Sequence, residues 1–147
     1  MEAASWTTTS AYAVQLAATL YLAGLIWFVQ LVHYPLLGRV GERAFARYHR
    51  EHLRRTSWAV ALPMLLEAVT SVATALRPPP QVPGWQAWCG PALVALIWIS
   101  TATLQVPQHR KLERGFDAAV HSRLVATNWI RTVAWSSRAL LLLTWAA

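Results

Sequence analysis

Residues 11–37 run without a single Lys, Arg, Asp or Glu. Roughly 20 apolar residues are enough for a helix to cross the hydrocarbon core of a bilayer. Three more apolar stretches follow, separated by polar segments: about 57–76, which holds one charge, Glu67; about 89–108; and about 127–147, which holds Arg131 and Arg138. The run Arg77-Pro78-Pro79-Pro80 closes the second stretch, since proline cannot continue a helix. Backbone groups in lipid must satisfy their own hydrogen bonds, so each stretch predicts a helix. The expected fold class is all-α: one integral membrane domain over 1–147, a four-helix bundle of four spans.

The segment 41–55 has another rhythm. Phe45, Tyr48, His49, His52 and Leu53 recur at i, i+3, i+4, i+7 and i+8, while Arg43, Arg47, Arg50 and Arg54 take the other side. This spacing predicts an amphipathic helix after the first span. Its arginines are expected to meet water and anionic head groups, and its histidines to point at the bundle.

The two halves of the chain resemble each other. Gln30 and His33 close the first span, then come Phe45 and Thr56-Ser57-Trp58; Gln105 and His109 close the third, then come Phe116 and Thr127-Asn128-Trp129. The offsets between partners run from 71 to 76 residues, which predicts two pseudo-equivalent two-helix halves related by an axis along the membrane normal. Glu67 and Arg138 each lie nine residues after the matching Trp. Isolated charges in mid-bilayer are costly and find partners, so these two are expected to meet in the interior, either as a polar clasp fixing register or as part of a site.

Charge supplies direction. The chain carries a formal net charge of +7 with 56% hydrophobic and only 13% charged residues. Ten of the thirteen basic residues fall in the first and third connections, so the positive-inside rule places these loops in the cytoplasm and both termini outside. Trp85 and Trp88 would then mark the opposite interface. A bacterial inner membrane is the expected location. Basic residues confined to loops between apolar spans argue against a nucleic-acid partner. The single Cys89 rules out an internal disulfide. The flank before residue 11 has Glu2 and no basic residue, so the first stretch is read as a retained span rather than a cleaved signal. Gly24 with Ala17, Ala18 and Ala23 is expected to allow close helix approach.

The candidate chemistry lies at the cytoplasmic boundary. His33, His49, His52 and His109 are expected to converge there as metal ligands, with Tyr34 and Tyr48 lining the pocket. Gln30, Gln105 and Asn128 are expected to bind a cofactor or support the ligands by hydrogen bonds. Imidazole suits iron, zinc or copper, and the pair His33 and His109 could instead hold a haem b iron. Glu67, Arg138 and Tyr48 are the catalytic candidates. His121 falls off the apolar face and is expected to be a solvated loop residue. No G-x-S-x-G, G-x-x-x-x-G-K-[ST], G-x-G-x-x-G or C-x-x-C-H occurs.

The segment Gln105-Val106-Pro107-Gln108-His109, a polar loop, and then Asn128-Trp129-Ile130-Arg131-Thr132 resembles the anthrone oxygenase-like family of small four-helix membrane proteins. Most of that family is of unknown function, and a few members are linked to oxygenation of polyketide anthrones. The likeness covers mainly the second half, and His109 stands where the family pattern has Asn. The resemblance implies the bundle and an oxygenase or redox role. The expected function is therefore a membrane-embedded metal- or haem-binding protein, oxidoreductase- or oxygenase-like, acting on a hydrophobic small molecule drawn from the lipid bilayer. A non-catalytic accessory or assembly subunit of a larger membrane complex is the alternative, with a homo-oligomer also open. A small transporter using Glu67 is the third reading.

Overall fold

The computed structural model describes the backbone of residues 2–146 and the surroundings of side chains 10–145. Among these residues every regular element is helical. Helix α1 (Glu2–Phe28) passes through a π-helical turn (Val29–His33) into α2 (Tyr34–Leu37), and α3 covers Glu42–Leu76. Helix α4 (Gly84–Ser100) likewise passes through a π turn (Thr101–Gln105) into α5 (Val106–Leu112), and α6 covers Ala118–Ala146. These form four rods joined by short connections, so neighbours along the chain run antiparallel.

Three rods are long and apolar enough to cross a membrane: Ser10–Leu37, Glu42–Leu76 and Gly84–Leu112. The fourth span expected at 127–147 is not among them; residue 147 lies outside the described residues, and the rest of the span lies in α6, which carries Arg131 and Arg138 along its length. The separate amphipathic helix also needs correction. Residues 42–76 form one uninterrupted helix of 35 residues, because Thr56-Ser57 contains no breaker and the ladder simply continues. The basic ladder is its first part and the apolar segment 57–76 its second. Pro63 lies inside it.

Each π turn is followed within two residues by a proline, Pro35 or Pro107. The backbone N–H of Tyr34 reaches Val29 O, and that of Val106 reaches Thr101 O. A proline ring clashes with the carbonyl four residues back, and the wider π turn gives that carbonyl room. Gly115, with φ of 147°, turns the chain after α5, a conformation open to glycine. Asp117 then accepts the Val120 N–H at 2.9 Å and caps α6.

The helices form a closed ring in which α1 touches α3 and α6, and α4 touches α3 and α6. The pairs α1/α4 and α3/α6 therefore sit on diagonals. Leu22, Ile26, Leu37, Phe45, Ile97, Leu112, Leu124 and Trp135 form the main core, and Val82, Ala87, Leu142 and Trp145 a smaller one. Polar residues are packed inside alongside them: Gln15, Thr19, Gln30, His49, Glu67, Gln105, Asn128 and Arg138 are buried. Large apolar residues such as Phe28, Leu31, Trp58, Val69, Trp85, Ile99 and Leu140 face outward. Gly24 and Ala17 are also outward, and nothing stands within 4 Å of a Cβ at Gly24; only Ala18 and Ala23 of that group are buried. The close approach is at Gly90, which is packed against Arg138.

Candidate functional site

The four histidines come together at one end of the bundle from three rods. His33 stacks on His52 with ring centres 4.3 Å apart, and His49 stacks on His109 at 5.2 Å. The two stacks are joined through His49–His52 at 5.9 Å and His52–His109 at 6.0 Å. The face spacing along α3 brings His49 inward, where Phe45 lies flat against it at 5.4 Å.

A directional hydrogen-bond chain runs through this cluster. Arg131 Nη2 donates to the Tyr34 hydroxyl at 3.4 Å, and Tyr34 lies 3.1 Å from His109 Nε2. His109 Nδ1 lies 3.3 Å from His49 Nε2. Arginine can only donate, and in the tautomer that continues this direction Tyr34 donates to His109 Nε2. Neutral His109 then carries its hydrogen on Nδ1 and donates to His49 Nε2. The remaining hydrogen of neutral His49 sits on Nδ1, a buried atom without a partner, and His33 Nε2 is likewise buried and unpartnered. Arg131 is held by Asn128, which accepts from its Nε at 3.0 Å and also from Nη2. Asn128 donates to Gln30 Oε1 at 2.7 Å, and Gln30 donates to Val125 O at 3.3 Å. Gln105 accepts from Ser100 at 3.1 Å and donates to Thr127 at 3.3 Å.

His49 and His52 lie ahead of the apolar segment of α3. Burial, followed by the neighbouring His33 and His49, holds His52 well below the ordinary imidazole value, at about 4. Burial also lowers His49, with His33 and His121 adding to that, while His109 and the Glu113 carboxylate act the other way. Burial thus favours the neutral form of both rings.

Beside the cluster lies a cavity of about 160 Å³. Leu22, Leu25, Ile26, Val60 and Met64 form its apolar length, and His52, His109, Tyr34, Arg131 and Gln105 form its polar end. Trp135 connects this space to a second polar nest, where Glu67 meets Arg138. Arg138 Nε donates to Glu67 Oε1 at 2.8 Å with both side chains wholly buried. Thr19 donates to the same oxygen at 2.7 Å, and Trp135 Nε1 to Oε2 at 3.1 Å.

Several expected placements change. Tyr48 is 45% exposed and does not line the cavity. It belongs to a shallow outer groove with His33 and His52, because its position is turned away from the bundle relative to His49; Tyr34 takes the inner place. His121 is not a solvated loop residue. It lies in α6, donates from Nε2 to Tyr34 O at 2.8 Å, and packs against Gly38 and Phe116. Arg131 reads in the sequence as a charge in a span and as part of the Asn128–Thr132 segment, yet it anchors the hydrogen-bond chain; its spacing three residues after Asn128 is the available signal. Gln30 and Asn128 stand behind the cavity wall, and of the three amides only Gln105 lines it.

The fit of a metal or haem can be judged from these positions. Among the described residues no three His, Cys, Asp or Glu side chains stand so as to hold a metal ion, since His49 and His109 turn nitrogens toward each other. Haem does not fit. The rings are packed at 4.3–6.1 Å, which leaves no slot for a macrocycle, and the adjoining cavity is smaller than the roughly 300–1,000 Å³ of drug-sized ligand sites. Comparison with protein-family models, with curated proteins and with solved structures yields no match to this chain.

Proposed function

We propose that the chain is a four-span membrane protein that binds a hydrophobic, hydroxyl-bearing small molecule in the central cavity and removes its hydroxyl proton. The observation that carries this reading is that Tyr34 and His109 belong both to the cavity wall and to the hydrogen-bond chain. The apolar length of the cavity suits the body of the molecule, and its polar end suits the oxygen.

The relay balances as follows. The substrate O–H bond breaks and its proton passes to the Tyr34 hydroxyl oxygen as Tyr34 gives its own to His109 Nε2. His109 gives its Nδ1 proton to His49 Nε2, so the proton passes transiently to His49, whose imidazolium form is opposed by burial and favoured by the Glu113 carboxylate. The Arg131 guanidinium, fixed by Asn128, stabilises the negative charge developing on the substrate oxygen. The product of the step is a hydrophobic phenolate or enolate held against the Arg131 guanidinium.

The bilayer setting is supported by the inside-out polarity: buried Gln, Glu, Arg and Asn within, and large apolar side chains outside. In this setting α6 is the fourth span, carried by the Glu67 pairing of its Arg138, with basic loops cytoplasmic and both termini outside. The two-half origin is supported by the π turns, Val29–His33 and Thr101–Gln105, which lie 72 residues apart and are each followed by proline. This register sets His33 against Gln105 rather than His109.

A second reading rests on the orphaned His33 Nε2 and His49 Nδ1. After rotation of the stacked rings, His33, His49, His52 and His109 would hold an iron, copper or zinc ion, and a redox-active ion supplies electron-transfer chemistry when bound.

The test is extraction of protein purified in mild detergent, with mass spectrometry of the lipophilic extract and elemental analysis of the same sample. A hydroxyl-bearing lipophile present near stoichiometry in the wild type, and lost in a folded Met64→Trp variant, supports the cavity reading. No such molecule, together with no saturable binding of added phenolic lipophiles, sinks it. Metal that is lost in His49→Ala favours the second reading.

A further inference from the structure

The Glu67–Arg138 pair uses only one edge of the guanidinium. Arg138 Nε serves Glu67, while Nη1 and Nη2 are buried without a partner, as is Ser71 Oγ. These groups gather over Gly90. The point a Cβ would occupy there lies 3.0 Å from Arg138 Nη1, 3.5 Å from Ser71 Oγ and 4.0 Å from Gln15 Nε2. Helix α4 thus contributes a bare backbone position, and the donors of α1, α3 and α6 converge across it.

The acceptors nearby are engaged. Glu67 Oε1 takes hydrogens from Thr19 and Arg138, Oε2 takes one from Trp135, and Gln15 Oε1 takes one from Thr74 at 2.9 Å. A guanidinium edge with two free NH2 groups, a hydroxyl and an amide NH2 make a donor-rich nest. Leaving such donors unmade in a buried site is costly. A water would bring two hydrogens to a place where Ser71 Oγ is the unengaged acceptor, whereas a small anion only accepts and can take every donor of the nest. The unpartnered Nη edge is also the positive end of the ion pair.

The geometry points to a binding site for one small monovalent anion of halide size, held by Arg138 Nη1 and Nη2, Ser71 and Gln15 above Gly90. The site is separate from the histidine cavity and does not depend on the reading of that cavity.

The experiment measures the unfolding midpoint of purified full-length protein in detergent, in chloride, bromide and gluconate at one ionic strength. A saturable rise of several degrees in chloride and bromide, absent in gluconate, is expected. Gly90→Ala should abolish the difference between salts, since its Cβ intrudes on the nest; if that variant does not fold, Ser71→Ala should weaken it several-fold. Crystals grown in bromide should show anomalous density beside Arg138 and Ser71. Equal midpoints in all three salts, with water rather than bromide at that position, would overturn the proposal.

Discussion

Glu67 and Arg138, separated by 71 residues, meet at 2.8 Å across the α3/α6 diagonal with neither side chain exposed. Each charge makes the other tolerable. Removing one partner of a buried pair leaves an uncompensated charge, whereas apolar replacement of both can be nearly neutral. Arg138→Leu should therefore destabilise the protein by about 3–5 kcal/mol, and Glu67→Gln combined with Arg138→Met should cost less than the sum of the singles. Additive costs in a double-mutant cycle, read from unfolding in detergent, would show that the two are not coupled.

Tyr34 stands between Arg131 and His109 in the hydrogen-bond chain. Tyr34→Phe keeps the ring and the packing but removes the relay atom. Binding of a phenolic lipophile should change less than threefold, while its deprotonation, followed by ultraviolet difference absorbance, should be lost. Full deprotonation in Tyr34→Phe would move the acceptor role elsewhere.

Acid should loosen the histidine end. His52 is held at about 4 in the folded protein, against 6.5 for a free imidazole. Because the folded value is depressed, the neutral ring contributes its stability in full above about 6.5 and loses it as pH falls toward 4. The unfolding midpoint should drop across that window, and less steeply in His52→Asn. A midpoint that stays level from pH 7 to 4 would contradict the neutral-ring assignment.

Gly38 has no room for a side chain. A Cβ there would come within 2.9 Å of His121 Cε1, while His121 Nε2 is tied to Tyr34 O at 2.8 Å. Gly38→Ala should cost about 1–3 kcal/mol by overpacking, and His121→Ala in that background should recover part of it. The check is unfolding of both variants, together with the His121 ring resonances. Unchanged resonances in Gly38→Ala would mean that the loop absorbs the methyl.

The parts legible in the sequence are those set by local spacing. The inward placement of Phe45, His49 and His52 follows from helical periodicity along one chain segment. Glu67 finding Arg138 follows from equal distances after two tryptophans and from the cost of an unpaired buried charge. Tyr48 shows the limit of the same reasoning. The stripe it shares with His49 is wide enough that its edge stays outside the bundle, and only the packing of α1 and the third rod against α3 decides which edge is covered.

The sequence by itself determined the apolar lengths, the helical character, the basic loops and the inward face of α3, because each depends on residues within a few turns of one another. Tertiary structure decided the rest. The direction of hydrogen bonding through Arg131, Tyr34, His109 and His49 depends on side chains from four segments meeting within hydrogen-bond reach. The capture of His121 by Tyr34 O depends on where the first rod ends against α6. The joining of α3 into one helix is local, set by the absence of a breaker at Thr56-Ser57, whereas the mutual stacking of the histidines depends on how tightly the ring of four rods closes. Contacts of that kind are properties of the packed bundle, and no local spacing encodes them.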